Sequence, residues 1–219
     1  MKDAVMLLSG GMDSGVLLAL CARRYEQVHA LCFDYGSRHA KKEIEKARAL
    51  AIEYKAVFKK IDLPFITDFF TSSLLETGDE IPDGPYGTQN MESTVVPFRN
   101  AIMLSIAVGY AEEHAIGRVL IASHAGDHAI YPDCTPEFTH AMSEAATSGT
   151  SAGVRIEAPF ESMTKARIAE QGRKMGFDFT KTWSCYKGLD IHCGICATCL
   201  ERKHALGYDK GDDPTRYQG

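Results

Sequence analysis

The sequence predicts a doubly wound α/β domain with a mostly parallel sheet and a small metal-binding region at its C-terminal end. Three observations carry this expectation. Short apolar runs of strand length alternate with longer segments of helical periodicity, the pattern of β-α-β units. The stretch Ser9-Gly10-Gly11-Met12-Asp13-Ser14 joins the first of those runs to the first helical segment. Four of the seven cysteines, Cys185, Cys193, Cys196 and Cys199, crowd together near the end of the chain.

The first element is the buried strand Ala4-Val5-Met6-Leu7-Leu8, and the first helical pattern begins near Val16 and runs to Tyr25. Between them, the paired glycines permit positive φ and close approach, so a helix N-terminus can present backbone N–H groups to a phosphate. Leu8, Ser9, Gly10, Gly11, Met12, Asp13, Ser14 and Gly15 are therefore the candidate nucleotide-binding residues. No Lys follows the glycines, which excludes the loop that grips β- and γ-phosphates through a lysine. Asp13 would repel phosphate unless a divalent cation lay between them, which points to Mg2+ and a polyphosphate. An ordinary glycine-rich strand–helix turn is the alternative.

Val28 to Phe33 reads as a second buried strand, with Asp34-Tyr35-Gly36 at its carboxyl end, where parallel sheets bind ligands. Asp34 can accept from a ribose hydroxyl or simply serve the turn. Cys21 and Cys32 lie in apolar runs and read as small core residues. Ser37 can cap a helix reaching Ala56, with Ile44, Ala47, Ala51 and Tyr54 on its apolar face. Val57 to Leu63 is the third strand. Thr77 to Met91 is rich in turn formers and is expected to be a mobile cover over the nucleotide site.

Asn100 is the expected N-cap of a nearly all-apolar buried helix, Ala101 to Glu113. Arg99 just before it reads as a cation aimed inward at phosphate or carboxylate, since Pro97 stiffens the approach, with a plain surface cation as the alternative. Arg118 to Ser123 is the next strand, and His124 to Cys134 puts polar residues where the crevice of the sheet would lie. His124 and His128 can ligate metal or make ordinary hydrogen bonds, and without helical context the second role is expected. Thr135 to Ser148 is helical, Val154 to Ala158 a short strand, and Thr164 to Lys174 a last helix closed by Gly176. Lys165 in the first turn of that helix is unfavourably placed unless it faces an anion.

The cysteine spacing C-x7-C-x2-C-x2-C suits one tetrahedral zinc, held by four thiolates at about 2.3 Å. An iron–sulfur cluster and unmetallated thiols are the alternatives, but the Cys-Pro usual among cluster ligands is absent. Four protein ligands close a zinc site, so the ion would be structural, and His192 is surplus.

At 219 residues, 45% hydrophobic and 24% charged, the chain has an ordinary composition, enough for one sizeable core. It shows no apolar run long enough to cross a bilayer, and its opening residues leave no room for a signal peptide, so a cytoplasmic location is expected. A net charge of −5 argues against a broad nucleic-acid surface and for small-molecule substrates. Oligomeric state is not legible, and a homodimer is open. Residues 1–180 form the expected catalytic domain and 181–219 the zinc-binding region packed on it.

Ser9 to Ser14 resembles the pyrophosphate loop of the N-type ATP pyrophosphatases, the PP-loop superfamily with its Rossmann-like, adenine nucleotide α-hydrolase fold. Further stretches narrow the resemblance: Phe33-Asp34-Tyr35-Gly36 with Arg38-His39, Val96-Pro97-x-Arg99-Asn100, Tyr131-Pro132-Asp133-Cys134, and Ser184-Cys185-Tyr186 before the cysteine tail. Together, in this order, they are similar to the 7-cyano-7-deazaguanine synthases of queuosine precursor synthesis. That resemblance implies a carbon–nitrogen ligase that adenylates 7-carboxy-7-deazaguanine with ATP and captures ammonia. It then adenylates the resulting amide and eliminates AMP to give the nitrile. Asp13, Arg99 and Lys165 would be the catalytic residues, and Asp127, Tyr131 and Asp133 would read the base. Gly15, where a hydroxyl residue is usual, and Ala129-Ile130, where Ser-Gly is usual, depart from the pattern. The first would cost one phosphate contact. The second leaves room for a ligase that stops at the amide or joins the acid to another amine. More distant alternatives are a tRNA-modifying PP-loop enzyme and a non-catalytic nucleotide-binding module.

Overall fold

A computed structural model describes residues 2–85, 89–127 and 130–218. Its centre is a five-stranded parallel sheet in the order β3-β2-β1-β4-β5, formed by β1 (Ala4–Leu7), β2 (Val28–Asp34), β3 (Val57–Asp62), β4 (Arg118–Leu120) and β5 (Arg155–Glu157). The alternation of strand and helix read from the sequence is this sheet.

β1 is buried on both faces, as a central parallel strand must be. Its side chains split by period two: Val5 and Leu7 join one core, Ala4 and Met6 the other. The second core is built with α1 (Met12–Cys21), α2 (Ala40–Glu53) and α6 (Lys165–Lys174). The first core is built with α3 (Phe65–Phe69), α4 (Arg99–Glu113) and α5 (Pro136–Gly149). A last helix, α7 (Ala197–Leu206), packs against α6. β3 is one of the two edge strands, half-exposed along its length, and Lys59 and Lys60 on it discourage pairing with another chain.

Several boundaries differ from the sequence reading. α1 starts at Met12, four residues before Val16, so the loop's last residues are already helical, and it ends at Cys21 rather than Tyr25. Ser37 does not cap α2; the N-cap position is His39, without a side-chain cap bond. Asn100 is not the N-cap of α4 but its second residue, and Phe98, left-handed at φ 56°, occupies the cap position. Asn100 instead gives its backbone N–H to Asp133 Oδ2 at 2.8 Å and its side-chain amide to the Asp133 carbonyl. A carboxylate from another segment thus satisfies an orphan donor of the first helical turn. Thr135 and Thr164 do cap α5 and α6 through their hydroxyls.

Met91–Glu113 is long and apolar enough for a membrane span by length and composition alone, contrary to the reading of the sequence. Within it, α4 is a core helix: Ala101, Met103, Leu104, Ala107 and Ala111 are buried against the sheet. The turn-rich segment from Thr77 runs towards the C-terminal region. Arg38 holds the carbonyls of Gly78 and Asp79, Asp83 pairs with Lys187 at 2.7 Å, and Gly84 N–H donates to the Ile195 carbonyl. Residues 86–88 of the expected cover lie outside the described residues.

Candidate active site at the carboxyl end of the sheet

The loop after β1 is held by its own side chains. Ser9 Oγ accepts from Gly11 N–H at 3.2 Å and lies 3.0 Å from Ser14 Oγ. The N–H groups at the start of α1 have no intrahelical partners and point out of the helix end, beside its positive dipole. Gly10 is indispensable there: at φ +81° a Cβ would stand 2.3 Å from the Glu43 carbonyl oxygen. The C-terminal segment closes the loop from behind, with Trp183 N–H donating to the Gly10 carbonyl at 2.9 Å.

Gly15 does not belong to this surface. Its hydrogen faces Phe177, Thr182 and Leu50 in the core, and an added Cβ would come within 2.7 Å of Phe177. A hydroxyl residue at this position would therefore point into the core. The Met12 side chain is likewise buried in the core, so only its backbone faces the helix end.

Two cavities flank the loop and share Leu7, Ser9 and Met103 as a common wall. One, of about 210 Å³, lies between the ends of β1 and β4, where the strand order reverses, and includes Gly11, Asp13, Ser14, Asn100, Ser123 and Asp127. The other, of about 120 Å³, lies between the ends of β1 and β2, with Leu31, Phe33, Tyr35, His39, Glu43 and Arg99.

A cluster of charges is built around Asp13 and Asp127 of the first. Lys165 Nζ stands 3.3 Å from Asp13 Oδ2 and 2.6 Å from Glu201 Oε2, as expected of a first-turn lysine that needs an anion. Burial opposes its charge, but the Asp13, Glu201 and Asp127 carboxylates outweigh that and raise its pKa above the ordinary lysine value. His124 is fully buried, and its Nδ1 accepts from Gly126 N–H at 3.0 Å. That fixes its proton on Nε2, which points between Asp13 Oδ2 at 3.7 Å and Asp127 Oδ2 at 3.5 Å. His128 lies outside the described residues. Asp13 Oδ1 is buried without a hydrogen-bond partner. A buried carboxylate oxygen in that condition, across His124 from Asp127, fits a divalent cation. Burial raises the Asp127 pKa, with His124 and Lys165 opposing.

Arg99 and Lys165 are not brought together. Arg99 stands on the β2 side, where it donates to Tyr35 Oη at 3.0 Å and lies over the Tyr35 ring. Asp34, at the end of β2, is paired with Lys60 at 3.1 Å and accepts weakly from Gly36 N–H. Tyr131 Oη meets Thr94 Oγ1 at 2.9 Å, and Asp133 holds the start of α4, so both brace the cavity wall from behind. Ala129 lies outside the described residues; its neighbour Ile130 is half-buried.

Glu201, Glu43 and the His124 bridge escape the sequence reading. Glu201 lies only two residues past Cys199, and Glu43 lies one turn beyond His39.

The sulfurs of Cys185, Cys193, Cys196 and Cys199 are buried and lie within 4.8 Å of one another. Cys193 Sγ and Cys199 Sγ are 3.8 Å apart, the edge expected of a tetrahedron with metal–sulfur bonds of about 2.3 Å. Backbone N–H groups of Cys193 and Cys196 point at Cys185 Sγ and Cys193 Sγ, both at 3.4 Å, as thiolate ligands require. The group has room for one ion and fits zinc; a multi-iron cluster would force the sulfurs further apart. His192 is outside it, its Nε2 accepting from Ser184 N–H. Cys21 and Cys32 are inert core thiols, pushed up to about 12 by burial.

Comparison with known proteins follows the same lines. The family model of the queuosine biosynthesis protein QueC matches residues 3–209. A 7-cyano-7-deazaguanine synthase from Desulfotalea psychrophila is 54% identical over 217 residues, 99% of either chain. One from Porphyromonas gingivalis is 50% identical over all of this chain and 98% of its own. Among solved structures, an NMN synthetase from Francisella tularensis superposes with a TM-score of 0.52 at 14% identity, over 99% of this chain and 88% of that one. At that identity the likeness is one of fold, the PP-loop fold.

Proposed function

Because the chain belongs to the QueC family, we propose that it is a carbon–nitrogen ligase converting 7-carboxy-7-deazaguanine and ammonia to 7-cyano-7-deazaguanine with ATP. The observation that carries the chemistry is the pairing of Lys165 with Asp13 beside the open N-terminus of α1, at the point where the strand order reverses.

In this reading the substrate carboxylate oxygen attacks the α-phosphorus of ATP and pyrophosphate leaves. The loop N–H groups receive the leaving group, and Lys165 balances the charge that builds on it. Ammonia then attacks the acyl carbon, AMP leaves, and a proton is lost to give the amide. The amide oxygen attacks the α-phosphorus of a second ATP, a second pyrophosphate leaves, and loss of AMP and two protons from the adenylated amide leaves the nitrile. No side-chain nucleophile is needed, so catalysis is positioning and electrostatics. Mg2+ held by Asp13, with Asp127 across His124, would neutralise the phosphates. Zinc held by Cys185, Cys193, Cys196 and Cys199 would be structural, fixing the start of α7 and through it Glu201. Arg99 would serve the other cavity, Asp34 the ribose, and Tyr131 and Asp133 the base from behind the wall. The substrates are small molecules, and their ATP and Mg2+ supply fits the cytoplasm.

Mass spectrometry of a long incubation with ATP, Mg2+, ammonium and the acid tests this. The nitrile is expected, with AMP and pyrophosphate released at both activations. An amide that never converts despite excess ATP overturns the synthase reading, and acyl transfer to an added amine favours a ligase.

A further inference from the structure

Glu43 and His39, one turn apart at the start of α2, put a half-buried carboxyl and a buried imidazole into the cavity between β1 and β2, away from the phosphate-binding end of the loop. His39 Nδ1 faces the Tyr186 carbonyl at 3.2 Å. A carbonyl can only accept, so the ring proton is on Nδ1 and Nε2 is a bare acceptor. That acceptor lies 3.5 Å from Glu43 Oε2. Burial holds the imidazole uncharged, down to about 4, so His39 offers the carboxyl no positive charge. Burial also pushes Glu43 up to about 8, although Arg99 across the cavity opposes this. With the His39 proton on Nδ1, Nε2 and the Glu43 carboxyl would face each other as two acceptors unless the carboxyl carries a proton, and at 3.5 Å that O–H is free to turn to a ligand.

Much of the rest of the cavity is apolar, as an aromatic ring requires. Leu7, Leu31, Phe33 and Met103 supply apolar walls, and Ser9 opens it to the loop. The backbone of Glu43 is locked in register with that loop, because its carbonyl occupies the space that Gly10 leaves.

We propose that Glu43 is an uncharged carboxyl group that reads the 1,6-edge of a purine-type ring bound in this cavity. Its O–H donates to the acceptor of that edge and its carbonyl oxygen accepts from the neighbouring donor. Adenine presents N1 beside its 6-amino group, and a deazaguanine presents O6 beside N1–H, so both nucleobases of the proposed reaction carry the edge. An ionised carboxylate would face the ring acceptor with a bare oxygen. The proposal rests on the reaction proposed above, and turnover by the parent enzyme in the same assay checks that reaction separately.

The test is a pair of variants, Glu43→Gln and Glu43→Leu, with zinc content and melting temperature recorded alongside KM for ATP, KM for the acid, and kcat. Glutamine keeps one donor and one acceptor in the same shape, so Glu43→Gln is expected within about twofold of the parent in all three constants. Glu43→Leu is expected to raise one KM about tenfold or more while kcat holds within about threefold. If the ATP value moves, the ring is adenine; if the acid value moves, it is the deazaguanine. A Gln variant as impaired as the Leu variant shows that the anion is needed and overturns the proposal, as does a Leu variant with parental constants. Should the Leu variant fail to fold, Glu43→Ala takes its place, with the same raised KM expected and the same parental constants overturning the proposal.

Discussion

Lys165 Nζ donates to Glu201 Oε2 across 2.6 Å, and with the Lys165–Asp13 pair at 3.3 Å this contact joins the loop after β1 to the helix that begins in the cysteine cluster. Glu201 is kept in place by Gly126, whose missing side chain would otherwise come within 2.9 Å of Glu201 Oε1. Glu201→Gln should leave zinc bound while turnover falls about tenfold to a hundredfold, because the ammonium shifts from Asp13. Measuring metal content and pyrophosphate release on the same preparation checks this; parental turnover would remove Glu201 from the positioning of Lys165.

Asp13→Asn should lower pyrophosphate release about a hundredfold or more and leave melting temperature nearly unchanged. The residue faces the cavity, and the variant relieves repulsion from Asp127 while weakening the Lys165 pair. A variant with parental activity would take Asp13 out of the mechanism.

Cys193→Ser should lose the metal and loosen the C-terminal region, since metal binding and local folding are coupled. Elemental analysis is the measurement. One zinc per parent chain and none in the variant is expected; an iron–sulfur absorption band, or unchanged zinc in the variant, would contradict the assignment.

Gly15→Ser should cost about 1–3 kcal/mol of stability through contact with Phe177 and Thr182, without improving KM for ATP. Denaturant unfolding beside steady-state kinetics would show it. A lower KM for ATP would mean that the hydroxyl reaches phosphate after all.

Glu43 also sets a pH dependence. Unfolded, the group ionises near 4.5, whereas in the fold it holds its proton up to about 8. Between those values the native state binds more protons, so parental stability falls as pH rises, by at most about 1.4 kcal/mol per pH unit. Glu43→Gln lacks this loss. Urea melts should show the variant gaining on the parent from pH 5 to 8 and the two curves running parallel above; parallel curves throughout would mean Glu43 is ionised in the fold.

The sheet was readable because its pattern is local. Ala4 to Leu7 is apolar at every position, as a strand buried on both faces must be, and Gly10-Gly11 marks where it stops. The cysteine spacing is local too. What stayed hidden depends on which side of a wall a residue falls. Arg99 and Lys165 read alike as cations seeking anions, yet Arg99 lines the cavity beside β2 while Lys165 pairs with Asp13, which lines the other. Asn100 looked like a cap because its type favours caps, but Asp133, from a segment more than thirty residues later, took that role over. Glu201 and Asp13 are apart by most of the chain, and no periodicity relates them.

That separation bears on synthesis. The loop encoded by residues 9–14 is closed by the Trp183 N–H on the Gly10 carbonyl and by Lys165, itself oriented by Glu201. A ribosome delivers those partners last, so the first strand and its loop emerge into a nascent chain that lacks their closing contacts. Pairings of such sequence distance slow folding and leave the early apolar strand exposed meanwhile. A chain cut short before Glu201 would own the whole pyrophosphate-loop motif and still not assemble the site it names.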